Sequence, residues 1–339
     1  MKRAINVGLI GAGRIGRVHA ENLAYRIPEA NLVAVSDVFV QAAQGLAADL
    51  QIPAAYADHR AILEDESVEA VLICSSTDTH AQLITEAAEA GKQIFCEKPI
   101  ALDLAQIDGA LEAVAQAGVK LMIGFNRRFD PNFKRVQEIV AAGQIGAPQV
   151  LRITSRDPKP PPVEYVRVSG GIFLDMMIHD FDMARYLVGS EVESLYAGGA
   201  VLVDPGIGEV GDIDTAVVTL HFANGALGVI DNSRQAVYGY DQRVEVFGSA
   251  GCATADNNYP NTAMISDARR VYRDLPLNFF MERYVESYVA EIRAFVECVL
   301  DDKTPPVTGL DGRVPVVMGY AAKRSLEEAR PVRLSEIVA

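Results

Sequence analysis

Short apolar runs alternate with amphipathic stretches over the first 125 residues. Ala4 to Ile10 (AINVGLI), Asn31 to Ser36 (NLVAVS), Ala70 to Ser75 (AVLICS), Gln93 to Cys96 and Lys120 to Gly124 are apolar on both faces, as in buried parallel strands. Between them, Arg14 to Arg26, His80 to Ala90 and Asp103 to Ala117 repeat apolar residues at helical spacing. The alternation predicts an α/β domain with a doubly wound parallel sheet over residues 1–125. After a helix from Pro131 to Ala142 the period changes. Gln149 to Thr154, Ser194 to Leu202, Ala216 to Phe222, Ala226 to Asn232, Arg243 to Phe247, Ala263 to Ser266 and Arg270 to Tyr272 read as strands, with Asn224-Gly225 as a hairpin turn. Helices are expected over Ser169 to Leu187, near Met281 to Leu300, and over Gly312 to Ala329. Residues 126–339 therefore read as an α+β domain on a largely antiparallel, open sheet. Ala197, Ala200, Val218, Leu220 and Ile230 read as apolar or small side chains on its outward face. Such a face predicts cover by a second copy, a homo-oligomer; the alternative is a helix of the same chain.

Composition narrows the function classes. The chain has 339 residues, more than one core usually serves, and a formal charge of −14 from 31 basic and 45 acidic residues. No basic cluster exceeds Arg127-Arg128 or Arg269-Arg270, which argues against nucleic-acid binding. No apolar stretch approaches the ~20 residues of a membrane span. Cys74, Cys96, Cys252 and Cys298 show neither metal-ligand nor redox spacing, so reduced thiols, a cytoplasmic location and no metal are expected.

Gly11-Ala12-Gly13-Arg14-Ile15-Gly16 follows the first strand and opens the first helix, the context of a dinucleotide-binding Rossmann fingerprint. Gly11 makes the tight turn, Gly13 admits the pyrophosphate and Gly16 allows close helix packing, while the helix N-terminus supplies donors for phosphate. Asp37, ending the second strand, is placed to accept from the adenosine ribose hydroxyls, and no Arg or Lys follows in SDVFVQ. The expected cofactor is NAD rather than NADP.

Two further segments bear chemistry. Phe95-Cys96-Glu97-Lys98-Pro99 lies at a strand's carboxyl end, where α/β sheets bind ligands; its lysine can polarise a substrate oxygen, and Pro99 can fix the turn as a cis peptide. In Ser169 to Leu187 (SGGIFLDMMIHDFDMARYL), Asp175 and His179 stand four positions apart in an apolar helical pattern. That spacing places a carboxylate and an imidazole one turn apart, as an acid/base pair or as two groups that satisfy one another.

In that order, GAGRIG, CEKP and GGIFLDMMIHDFDMARYL resemble the Gfo/Idh/MocA oxidoreductases over essentially the whole chain. Within the family, TSRDPKPPPVEYVRV (Thr154 to Val168) and DNSRQAVYGYDQRVEVFG (Asp231 to Gly248) are similar to its inositol dehydrogenases. The resemblance implies Lys98, Asp175 and His179 as catalytic residues. It places Gly11, Gly13, Arg14, Ile15, Asp37, Ser75, Thr77, His80, Glu97 and Arg127 around the NAD cofactor, and adds Asp157 and Tyr240 to the substrate contacts. It also implies a tetramer. Met177 stands where many members carry glycine, a difference that bears on polyol stereochemistry.

The chemistry follows from these groups. Oxidising a secondary alcohol needs a hydride acceptor, NAD, and a base; His179, neutral above its ordinary pKa of about 6.5, suits that role. Lys98 then stabilises charge on the oxygen, and Asp175 orients its neighbours. Asp157, Arg127 and Tyr240 offer polar partners to a polyhydroxylated ring. For Tyr240 the alternative is a core tyrosine, and for His80 a structural contact to the loop. His19, His59 and His221 read as structural or exposed. The expectation is oxidation of a small-molecule polyol, myo-inositol. Alternatives are scyllo-inositol, another cyclitol, a hexopyranose, a redox-assisted glycosidase, and a nucleotide-sensing regulator without turnover.

Overall fold

A computed structural model of the protein describes residues 3–337. The chain forms two compact units, one from the residues up to Phe129 with Glu286–Val314, the other from Asp130–Val285 with the chain from Pro315. In the first unit, β1 (Ile5–Ile10), β2 (Ala30–Ser36), β3 (Ala54–Tyr56), β4 (Ala70–Ile73), β5 (Gln93–Glu97) and β6 (Leu121–Gly124) form a parallel sheet in the order β3-β2-β1-β4-β5-β6. Val7, Leu9, Val71, Leu72, Ile94 and Phe95 are fully buried, which explains the unbroken apolar runs. The connections carry α1 (Arg14–Arg26), α2 (Val40–Leu50), α3 (Arg60–Leu63), α4 (Thr77–Glu89) and α5 (Leu104–Ala117). The strand order reverses between β1 and β4. Open α/β sheets bind their ligands at such a reversal, outside the carboxyl ends of the strands.

The sequence assigns everything after residue 125 to the second domain, whereas the structure returns 286–314 to the first unit. This segment holds α11 (Val285–Leu300) and the start of α12 (Gly309–Glu328). Phe295 packs on Phe95 with ring centroids 5.9 Å apart, and the Val307 carbonyl accepts from the Ile123 amide at 3.1 Å. These contacts complete the apolar cover of β5 and β6. At Gly312 an added Cβ would fall 2.7 Å from the Ile100 side chain.

The second unit is built on seven strands: β7 (Pro148–Arg156), β8 (Val192–Ala200), β9 (Thr215–Phe222), β10 (Leu227–Ser233), β11 (Asp241–Gly248), β12 (Gly251–Ala255) and, near the C-terminus, β15 (Val332–Arg333). Their order is β12-β11-β7-β10-β9-β8-β15, and β7 with β10 is the parallel pair in an otherwise antiparallel sheet. A separate hairpin, β13 (Met264–Ser266) and β14 (Val271–Arg273), is exposed. The helices are α6 (Pro131–Ala141), α7 (Val163–Ser169), α8 (Ile178–Val188), α9 (Pro205–Glu209), α10 (Phe280–Arg283) and the remainder of α12.

Two expectations are corrected here. Ala200, half-buried opposite Thr215, keeps the outward side, but Ala197, Val218, Leu220 and Ile230 are at most 2% exposed, so these four side chains do not form an open face. They belong to the covered one, where the Ser325 hydroxyl of α12 accepts from the Ala197 amide. Because side chains alternate along a strand, the outward positions are their neighbours Tyr196, Val217, Leu227 and Phe247, each 42–48% exposed. Second, Ser169 to Leu187 is not one helix. α7 stops at Gly170 and Gly171, both at positive φ, a π-helical turn covers Ile172–Met176, and α8 begins at Ile178.

Candidate active site

The glycine-rich loop has the geometry that a pyrophosphate requires. Gly11 has φ +100°, and a Cβ there would lie 2.6 Å from the Cys74 carbonyl carbon; at Gly16 it would lie 2.0 Å from the Gly11 oxygen. Both must be glycine for β1, β4 and α1 to approach this closely. Gly13 differs. Among the described residues no atom beyond its chain neighbours lies within 4 Å of its added Cβ, and no side chain caps α1. That cradle fits a dinucleotide phosphate. Arg14 is exposed and Ile15 half-buried at the start of α1. Asp37 Oδ2 accepts from the Ala12 amide and Oδ1 from the Phe39 amide, both at 2.8 Å, which fixes the carboxylate at the end of β2 beside the loop.

The turn after β5 is pinned on both sides of Lys98. Glu97 Oε1 lies 2.7 Å from His19 Nε2, and the carbonyl of Pro99, which follows a cis Lys98-Pro99 bond, lies 2.8 Å from His80 Nδ1. The other His80 nitrogen is 3.1 Å from the Ser75 carbonyl. His80 therefore ties the loop after β4 to the Lys98 turn, the structural contact that the sequence left open. Ser75 Oγ and Thr79 Oγ1 are 2.7 Å apart, and Thr77 starts α4 half-buried. Arg127 is buried in a 3-10 turn after β6. Lys98 itself is half-buried.

In the second unit, the parallel pairing of β7 and β10 sets Arg156 opposite Ser233, so the residues that follow, Asp157 and Arg234, leave the sheet side by side. Arg234 is 3% exposed. Its Nη1 donates to Asp175 Oδ2 at 3.1 Å and lies 3.7 Å from Asp157 Oδ2. The other Asp175 oxygen accepts from the Tyr165 hydroxyl of α7 at 2.9 Å. Almost half of Tyr165 is exposed, but its hydroxyl end lies against that carboxylate; loss of water there, reinforced by the Asp175 charge, pushes the phenol up. Asp175 is thus held on both oxygens.

The π-helical turn that carries Asp175 is anchored at its first residue. Both oxygens of Asp212 accept from the Ile172 amide, at 3.2 and 3.0 Å, and a Cβ on Gly171 would meet that carboxylate at 2.6 Å. His179 follows one turn later, half-buried in the first turn of α8. Tyr240 is buried and packs edge-on against Tyr284, the core placement that the sequence kept as an alternative. Tyr238 donates to Asp241 at 2.6 Å and accepts from Arg156 at 3.1 Å.

Sequence reasoning thus named Asp157 and Asp175 but not the arginine that joins them, nor Tyr165 and Asp212. Arg234 and Tyr165 lie inside the segments DNSRQAV and PPPVEYV, where the chemistry was assigned to their neighbours. Their signal was position at a strand end and before a glycine pair. The buried partners came from the tertiary fold.

Comparison with known proteins identifies the family. Residues 5–125 match the model of an oxidoreductase family with an NAD-binding Rossmann fold, Gfo/Idh/MocA, and residues 133–254 match the Gfo/Idh/MocA C-terminal domain. The chain is 54% identical to a myo-inositol 2-dehydrogenase of Thermotoga maritima, over 98% of this chain and 100% of the relative. It is 45% identical to an inositol 2-dehydrogenase of Rhizobium meliloti, over 98% and 99%. A crystal structure of scyllo-inositol dehydrogenase from Lactobacillus casei with bound NAD(H) and scyllo-inositol superposes with a TM-score of 0.91 at 28% identity, covering 98% of this chain and 100% of that one.

Proposed function

The chain belongs to the Gfo/Idh/MocA oxidoreductases, with an NAD-binding Rossmann domain, and from that premise we propose that it oxidises one secondary hydroxyl of myo-inositol to the keto-inositol. The observation that carries this reading is Asp175, fixed on both oxygens by Tyr165 and Arg234 and one turn before His179, a rigid acceptor suited to a ring of hydroxyls. NAD, when bound in the cradle at Gly13 and Asp37, supplies the hydride acceptor. The remaining steps belong to side chains. His179 takes the hydroxyl proton on an imidazole nitrogen. The Lys98 ammonium donates to the same oxygen and lowers the cost of its developing charge. Asp175 orients the imidazole and accepts from a neighbouring hydroxyl, while Asp157 and Arg127 bind hydroxyls outside the reacting centre.

The relatives' names support myo-inositol first, since the Thermotoga maritima protein shares more than half its residues with this chain; scyllo-inositol is the second reading, supported by the Lactobacillus casei structure. The outward face at Tyr196, Val217, Leu227 and Phe247 supports a homo-oligomer built on that side of the sheet, and the free cysteines support a reducing, cytoplasmic setting. NADH formation with a panel of inositol isomers and aldohexoses tests the assignment. Myo-inositol is expected to give the highest initial rate, and His179→Ala to cost at least ~100-fold in turnover. Faster turnover of a hexose would replace the substrate. Unchanged turnover in His179→Ala would remove the mechanism.

A further inference from the structure

Behind the Lys98 turn, α1, β5 and α11 enclose His19, Glu97 and Glu291, whose nearest nitrogen and oxygen atoms all lie within 4.8 Å of one another. His19 and Glu291 have no exposed surface, and Glu97 little. His19 packs edge-on against Phe95 and Tyr288, at 5.3 and 5.7 Å between centroids, and points Nε2 at Glu97. Neither oxygen of Glu291 has a hydrogen-bond partner among the described residues. A carboxylate out of water, without a donor and next to a second carboxylate, is the costly ionisation state; the neutral acid is the stable one. Burial first, and the Glu97 charge second, push the Glu291 carboxyl well above the usual range. The Cys74 thiol, one residue past β4, does not offset this, because burial pushes it up as well and it stays uncharged.

Glu97 is the last residue of β5 and Lys98 follows directly. The His19 contact therefore fixes the residue before Lys98, and His80 holds the Pro99 carbonyl after it, so the turn that carries Lys98 is anchored at both ends. We propose that His19, Glu97 and Glu291 are positioning residues for Lys98, with Glu291 standing as a neutral acid behind the His19–Glu97 pair, and that the arrangement holds only while Glu291 keeps its proton. The inference rests on the reading of Lys98 as the group that meets the substrate oxygen. Ionising Glu291 would set a second negative charge against Glu97, drive the pair apart and swing Lys98 out of line.

Two measurements on the full-length protein test this. An infrared difference spectrum between wild type and Glu291→Gln is expected to show a protonated-carboxyl stretch at about pH 8, well above the ordinary carboxylate range. In steady-state kinetics, Glu291→Ala is expected to lower kcat about 10- to 100-fold with the NAD dissociation constant little changed, as for a misaligned reacting group, and Glu97→Gln to lower kcat by a similar factor. Glu291→Gln restores most of the turnover lost in Glu291→Ala and lacks the alkaline fall that the wild type shows as Glu291 ionises. An ionised carboxylate at that pH overturns the proposal. So does a stoichiometric divalent metal that Glu291→Gln removes, or a Glu291→Ala enzyme with the wild-type kcat and pH profile. Failure to oxidise any inositol would defeat the functional reading instead, and the infrared result would still decide the state of Glu291.

Discussion

Arg234→Met is the perturbation that most directly tests how the second unit holds Asp175. The guanidinium is 3% exposed and sits 3.1 Å from Asp175 and 3.7 Å from Asp157, which are 14% and 27% exposed. At an effective dielectric constant of about 20, those separations correspond to attractions of about 5 and about 4 kcal/mol, offset by the cost of taking the guanidinium out of water. Removing one member of a buried pair leaves the uncompensated charge behind and typically costs about 3–5 kcal/mol. Water reaches both carboxylates in part, so about 2–4 kcal/mol is the expected loss. That lowers the melting temperature by about 5–10 °C in a unit of this size. The catalytic effect is separable. Without the arginine the two carboxylates repel, Asp175 leaves its position, and kcat/KM is expected to fall about 100-fold or more, whereas Arg234→Lys, a point charge without the planar fork, falls in between. Calorimetry and initial rates on the same preparations read both effects. A lowered melting temperature with kcat/KM within about threefold of wild type would make Arg234 merely structural and refute its role in aiming Asp175.

Asp37→Ser removes the carboxylate from the ribose end of the cradle; it is expected to weaken NAD by about 10- to 100-fold, the worth of a charge-assisted hydrogen bond, and to narrow the preference over NADP. An unchanged ratio of the two dissociation constants would place the ribose contact elsewhere. For Glu291 the sign follows from linkage: its folded pKa is raised, so above the unfolded value of about 4.3 the folded state keeps a proton that the unfolded chain has released, and wild-type stability declines as pH rises toward the folded pKa. Glu291→Gln lacks that slope and is expected to gain on wild type as pH rises above the unfolded value, by at most about 1.4 kcal/mol per pH unit. A pH-independent difference between the two urea midpoints would show that Glu291 is ionised in the folded protein.

The parts of the site legible in the sequence are those in which local geometry leaves one choice of residue. Gly11 and Gly16 could be read because a Cβ at either would collide with backbone, and the strand before and helix after them were themselves plain. Lys98 before a proline at a strand end, and Asp175 four residues before His179, were legible for the same reason. Arg234 was not, because its place beside Asp157 depends on β7 and β10 running parallel across more than seventy residues of chain. The direction a strand faces was also hidden: alternation in Ala197, Val218, Leu220 and Ile230 is equally strong whichever side is buried, and the side chosen was the wrong one. Glu291 did carry a signal. It stands on the face of α11 that also presents Tyr288, Ile292 and Phe295, where a carboxylate interrupts an apolar stripe. The return of that helix to the first unit had no local sign at all.

That return makes the dinucleotide unit discontinuous in the chain, and synthesis proceeds from one end. When the ribosome has finished β6, the surfaces of Phe95, Ile100 and Leu111 that later meet Phe295, Gly312 and Gly309 are still bare, and more than 150 residues must emerge before the covering helix exists. The nascent N-terminal half is therefore an unfinished, sticky intermediate throughout translation of the middle of the protein. Excising it as a free-standing nucleotide-binding fragment would yield an aggregation-prone piece, whereas a rearranged gene that appended Glu286–Val314 directly after Phe129 would restore its missing wall.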